Sequence, residues 1–309
     1  MSDADSTGGV IEVGRLRKVY GETVAVDDVS FDVRQGEIFG IVGPNGAGKT
    51  TAIECVMGLR RPDSGSVSVL GMDPWFDANQ VKRRIGVQLQ QAALPNRIKV
   101  GEALDLFASF YDDPADTSAL LQQWGLEGRK DAAFANLSGG QKQRLFIALA
   151  LVNHPELVFF DELTTGLDPQ ARRATWELVR DIRASGTTVV LVTHFMEEAE
   201  HLCDRVAIID HGRIVALDSP AGLVEAMESE KRIRFTLPEP ADLGWLANVE
   251  GVHRVAHENG SIAVHGSGPL LVRVATALGE HGLEPVDLSM ERTTLEDVFL
   301  ATTGRELRA

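Results

Sequence analysis

Eight residues constrain this chain more than any others: Gly43-Pro44-Asn45-Gly46-Ala47-Gly48-Lys49-Thr50. They follow Ile38–Val42, a nearly continuous apolar run of the kind buried on both faces of a sheet. A stretch of helical pattern comes next. Strand, glycine-rich loop, Lys-Thr and helix in that order is the arrangement GxxxxGK[ST]. Its glycines let backbone N–H groups close around phosphate oxygens, and the helix N-terminus adds partial positive charge. In such a loop the lysine, here Lys49, reaches the β- and γ-phosphates of a nucleotide, and the hydroxyl, here Thr50, ligates Mg²⁺. The plainer alternative is a turn that happens to hold a lysine. The flanking strand and helix argue against it.

The rest of the chain repeats the rhythm of strand and helix. Leu157–Phe160 and Thr188–Val192 are further apolar runs, and Asp168-Pro169 starts a helix with Asp as cap and Pro in the first turn. Arg205–Ile209 and Arg213–Leu217 flank His211-Gly212 as a hairpin does. Val10–Val13 and Thr23–Val33 alternate apolar and polar residues in the manner of edge strands, and Pro62–Gly65 reads as a turn. The pattern predicts an α/β fold with a mainly parallel, helix-covered sheet over residues 10–227, and a helical insert near 90–135. Residues 1–9 are expected to be a flexible leader and Glu228–Lys231 a charged linker. From 228 to 309 the order becomes β-α-β-β-α-β, which predicts a small α+β unit of ferredoxin-like type. Thr293 and Glu296 have capping-box spacing for a last helix ending at Gly304. Leu295, Val298 and Phe299 give that helix an apolar face, expected to lie on the small sheet or on a partner.

Composition narrows the partners. The chain has 309 residues, 44% of them hydrophobic, and a formal net charge of −15. A surface that acidic does not suit nucleic acid, which needs a basic patch. No apolar run approaches the roughly 18 residues that span a bilayer. The N-terminus lacks the basic and apolar regions of a secretory signal. Cys55 and Cys203 have no metal-ligand spacing and read as two buried thiols in a reducing compartment.

Two further motifs name a family. Asp161-Glu162 closes the run Leu157–Phe160, where one carboxylate can support a metal and its neighbour can orient water. Leu137-Ser138-Gly139-Gly140-Gln141, continuing Lys-Gln-Arg144, is a second capped helix start with open N–H groups. With the loop at 43–50, these residues resemble the ATP-binding subunits of ABC transporters, and the resemblance covers about residues 10–225. It implies ATP and Mg²⁺ as ligands, with Gly43 to Thr51 around the phosphates. It gives Asp161, Thr50 and Gln90 to the metal, and catalysis to Glu162, His194 and Gln90. Tyr20 sits where the family stacks an aromatic on adenine, though a half-buried strand tyrosine is the plainer reading. Gly166-Leu167-Asp168 resembles the family's D-loop. Ser138, Gly139, Gly140 and Gln141 would grip ATP held by a second copy of the domain, head to tail.

One position departs from the family pattern. Leu163 stands where proline usually follows the Asp-Glu pair, which leaves that turn freer. Thr294-Leu-Glu-Asp-Val-Phe-Leu300 resembles the tail of the daunorubicin-resistance type of exporter ATPase. The resemblance thus implies an ATP-hydrolysing subunit at the cytoplasmic face of the membrane. Its pore would be a separate transmembrane subunit, and its cargo drugs or other hydrophobic small molecules. Two rivals are a soluble ABC ATPase acting on ribosomes or DNA, and an ATP switch without turnover. The single phosphate loop and the absence of a basic run disfavour the first; Glu162 and His194 disfavour the second.

Overall fold

The computed structural model describes residues 9–303, apart from 91, 228–230, 240, 259 and 292. In chain order the first elements are β1 (Ile11–Tyr20), β2 (Thr23–Val33), β3 (Ile38–Val42), α1 (Lys49–Val56), β4 (Ser64–Val69), α2 (Ala78–Arg84) and β5 (Ile85–Gln88). Then come α3 (Val100–Ala108), α4 (Thr117–Gln123), α5 (Gly139–Ala150), β6 (Leu157–Asp161), α6 (Pro169–Ala184), β7 (Thr188–Thr193), α7 (Met196–Leu202), β8 (Arg205–Asp210), β9 (Arg213–Asp218) and α8 (Pro220–Met227). The last are β10 (Lys231–Thr236), β11 (Val252–Glu258), β12 (Ser261–Gly266), α9 (Leu270–Glu280), β13 (Val286–Glu291) and α10 (Leu295–Thr303). The chain divides into two compact units. One runs to Pro220 and takes in the chain from Phe299; the other is Ala221–Val298.

The first unit carries a six-stranded sheet in the order β5-β6-β7-β3-β8-β9, parallel except for the antiparallel β8–β9 pair. Every residue of β3, β6 and β7 is buried, as strands covered on both faces require. A second, antiparallel sheet has the order β2-β1-β4. One apolar core joins the two sheets, with the Phe31 and Phe39 rings stacked at 5.4 Å between them. β1 is therefore a central strand rather than the edge strand its alternation suggests. It is also longer than Val10–Val13: pairing with β4 runs to Arg17, and pairing with β2 carries it to Tyr20 past three shifts in register. Residues 64 and 65 belong to β4, not to a turn; the glycine and serines there hide the strand pattern. The insert forms α3 and α4 on either side of Pro114, as expected.

The second unit is an antiparallel sheet in the order β11-β12-β10-β13. That is the ferredoxin-like arrangement, with its first helix reduced to the 3₁₀ turn Gly244–Asn248. Its core holds Ile233, Phe235, Leu246, Val264, Val274 and Leu278. One expectation about α10 changes. The reciprocal cap is Thr294 with Asp297, one residue beyond the predicted pair: Thr294 N donates to Asp297 Oδ2 at 2.8 Å and Thr294 Oγ1 accepts from Asp297 N at 3.3 Å. Leu295, Val298 and Phe299, the expected apolar face, are all buried. Of the expected linker Glu228–Lys231, Lys231 begins β10, while 228–230 and the helix end at Gly304 lie outside the described residues.

Candidate nucleotide site

Four loops leave the carboxyl ends of neighbouring parallel strands and meet. The strands β5, β6, β7 and β3 are adjacent, in that order. Gln90 follows β5, Glu162 follows β6, His194 follows β7 and residues 43–48 follow β3. This is the edge at which open α/β sheets place their ligands. A cavity of about 300 Å³ opens there, lined by Ala25, Asn45, Gly46, Lys49, Thr50 and Thr51, with Gly48, Gln90 and Glu162.

The loop takes its shape from close backbone approaches. Gly48 has φ +100°, and a Cβ there would lie 2.1 Å from Ala25 O. Gly212, in the β8–β9 turn, donates to Ala47 O at 2.8 Å and so braces the loop from behind. Lys49 is 5% exposed. Its ammonium donates to Gly43 O at 2.8 Å and Pro44 O at 3.0 Å, across the mouth that its own helix opens. Burial pulls its proton affinity below the ordinary lysine range, and the charges of Glu162 and Asp161 oppose that.

Asp161 ends β6 and is 2% exposed. Neither of its carboxylate oxygens meets a partner at full hydrogen-bond geometry. Burial, then the neighbouring Glu162 charge, pushes its carboxyl up to about 6. The Thr50 hydroxyl and the Lys49 charge hold it down. A buried carboxylate beside a hydroxyl at a phosphate loop is a hard-oxygen donor set that fits Mg²⁺. Among the described residues no group of three or more His, Cys, Asp or Glu gathers into a metal site. Mg²⁺ in nucleotide sites takes only one or two carboxylates and completes its shell with phosphate, hydroxyl and water oxygens.

Glu162 is held at three points. Gln90 Nε2 donates to Oε2 at 2.8 Å, Thr165 Oγ1 to the same oxygen at 3.4 Å, and His194 Nδ1 lies 3.2 Å from Oε1. Its backbone is left-handed, at φ +52°, and Glu162 N donates to Val192 O at 2.8 Å. A non-glycine residue in that region costs about 1–2 kcal/mol, a strain typical of functional positions. Leu163 is completely buried, so apolar packing anchors the turn that a proline ring would otherwise stiffen.

The other predicted residues lie farther from the cavity. Tyr20 is 39% exposed at the end of β1, with Lys18 and Arg60 over its ring at 5.5 and 5.4 Å, and it does not line the phosphate cavity. Ser138 and Gln141 form a capping box that starts α5, leaving Gly139 exposed at the helix N-terminus. Asp168 caps α6 by accepting from Ala171 N at 2.9 Å. Gln88, two residues before Gln90, accepts from Gln143 Nε2 of α5 at 3.0 Å. Two contributors escape sequence reasoning. Ala25 enters from β2 only because Gly48 packs on it, and Thr165 carries no motif signal of its own.

Fold and loop together define a P-loop nucleoside triphosphatase. Residues 26–165 match the ABC transporter family. The chain is 38% identical to the Nod factor export ATP-binding protein I of Ralstonia nicotianae, over 97% of this chain and 95% of that one. It is 40% identical to the protein of the same name from Burkholderia thailandensis, over 96% and 98%. Among solved structures, the ATP binding subunit of an ABC transporter superposes with TM-score 0.63 at 30% identity, covering 70% of this chain and 92% of that one. The post-hydrolysis dimer of the cassette MJ0796, bound to ADP and Pi, superposes with TM-score 0.61 at 26% identity, covering 68% and 98%. The chain belongs to the ABC transporter family, as an ATP-binding subunit of its ATPase class.

Proposed function

We propose that this chain is the ATP-hydrolysing motor of an exporter, working as a pair of ATPase domains against a separate membrane-spanning subunit at the cytoplasmic face of the membrane. The observation that carries the reading is Glu162, held between Gln90 and His194 at the mouth of the phosphate cavity. Lys49 exchanges its loop carbonyls for the β- and γ-phosphate oxygens. Thr50, Asp161 and Gln90 would hold Mg²⁺, which, when bound, neutralises phosphate charge. Glu162 orients and polarises the attacking water, His194 contacts the γ-phosphate and steadies the carboxylate, and Gln90 reports the state of the site to the helical insert. Tyr20 stacks on adenine. Ser138 to Gln141 and Asp168 face the nucleotide of the second copy. Residues 10–227 form the ATPase domain and 228–309 an accessory unit without nucleotide chemistry.

The direction of transport is supported by relatives that carry export in their names. A hydrophobic or drug-like cargo is supported by the tail Thr294–Leu300, which resembles the daunorubicin-resistance type. No helix among the described residues is long and apolar enough to cross a membrane. The test is affinity purification of the full chain from solubilised membranes of its own host, with mass spectrometry of what co-elutes. A stoichiometric multi-spanning subunit is expected. Recovery only with ribosomes or nucleic acid would overturn the transport reading.

A further inference from the structure

Behind the site lies a polar cluster that none of the motifs contains. Glu198, on α7, is 0% exposed. Trp176 Nε1, from α6, donates to its Oε1 at 3.2 Å. Its other oxygen and the hydroxyl of Thr164 are both sealed from water and meet no partner at full hydrogen-bond geometry. Burial raises the carboxyl's proton affinity, while the hydroxyls of Thr193 and Thr164, the Trp176 indole and the Arg172 charge act to lower it. A buried carboxylate is costly unless its surroundings answer it.

What matters is where these neighbours sit. Thr164 lies between Glu162 and the D-loop residue Asp168. Thr193 ends β7 just before His194, and its hydroxyl accepts from Phe195 N at 3.0 Å, bracketing the histidine. Arg172 lies on α6, the helix capped by Asp168; its guanidinium stands 4.4 Å from the Phe195 ring, which in turn lies 4.1 Å from the His194 ring.

We propose that Glu198 is a positioning residue that ties the loop of Glu162 and Asp168 to the strand end of His194, so that the carboxylate and imidazole keep their mutual geometry during turnover. The inference rests on the roles given above to Glu162 and His194. Glu198 is sealed from solvent and acts through its neighbours Trp176, Thr164 and Thr193. Small displacements of reacting groups cost rate more than affinity.

The test uses the full chain with Glu198→Ala, Glu198→Gln, Thr164→Val and Glu162→Gln, reading ATPase kcat, KM and melting temperature. Glu198→Ala and Thr164→Val are each expected to lower kcat about tenfold with KM for ATP held within about twofold. Glu198→Gln, which keeps an acceptor for the Trp176 indole, should recover most of the rate. The double variant Thr164→Val/Glu198→Ala should be no slower than the slower single one, because both cut the same link. If Glu198→Ala does not fold, Thr164→Val decides alone, since it removes a hydroxyl at nearly constant volume. Slow turnover in Glu162→Gln alongside wild-type kcat in Thr164→Val overturns the positioning role and leaves the site reading standing. Wild-type turnover in Glu162→Gln overturns both.

Discussion

At the scale of single residues, the site is a set of charges placed against burial. Lys49 is the one side-chain cation of the phosphate loop and sits almost out of water, donating to the loop's own carbonyls. Lys49→Ala should therefore weaken ATP binding at least about tenfold and abolish turnover, since hydrogen bonds to charged groups contribute about 1.5–3 kcal/mol. Binding titrations with a fluorescent ATP analogue and a phosphate-release assay measure both; normal turnover would remove the assignment of the loop. The motif residues were legible because their chemistry needs fixed types at fixed spacing. Thr164, Trp176 and Glu198 were not, because nothing in sequence tells a buried glutamate on α7 from the exposed Glu197 beside it. Only the packing of α6 against α7 brings Trp176 to Glu198.

At the scale of elements, the fully buried strands and the caps at Ser138 and Asp168 were readable, while the cap of α10 and the β2-β1-β4 sheet were not. Apolar runs report burial on both faces directly. Alternation reports only one buried face, and does not distinguish a central strand from an edge. An ionic contact that supplements the apolar join between the two sheets also escaped reading. Arg205 of β8 reaches Asp32 of β2 at 3.0 Å and Glu37 at 3.2 Å, with its guanidinium 5.6 Å from the Phe39 ring. The hydrogen bond from Arg205 holds the Asp32 carboxyl below its ordinary 3.8, against some desolvation. A depressed carboxyl contributes stability that is present above its ordinary value and lost as pH falls through the folded one. Asp32 is half exposed, which screens the pair. Arg205→Met should thus cost about 1–2 kcal/mol at pH 7, and the gap should narrow at pH 3.5 without closing. Urea melts at the two values check the sign; an equal loss at both would exclude the ion pair as the cause.

At the scale of the whole molecule, one chain holds a complete phosphate loop and a second capped helix start that does not line its own cavity. A helix N-terminus with Gly139 open beside it is ready for an anion that its own chain does not deliver. The proposed head-to-tail pair supplies that anion as the ATP of the other copy. Sequence alone suggested this only through resemblance, since pairing between copies leaves no periodicity in one chain. The net charge of −15 adds a condition: two acidic copies repel unless ATP closes the interface, so pairing should depend on nucleotide. The most direct measurement is sedimentation of Glu162→Gln protein with and without saturating Mg²⁺-ATP. Glutamine keeps the shape of the side chain and removes its basicity, so ATP should bind, persist and hold a dimer that vanishes without nucleotide. Adding Ser138→Arg, in protein shown by melting to be folded, should return the chain to a monomer. A Glu162→Gln protein that stays monomeric with ATP bound, or a double variant that still dimerises, would contradict the paired site.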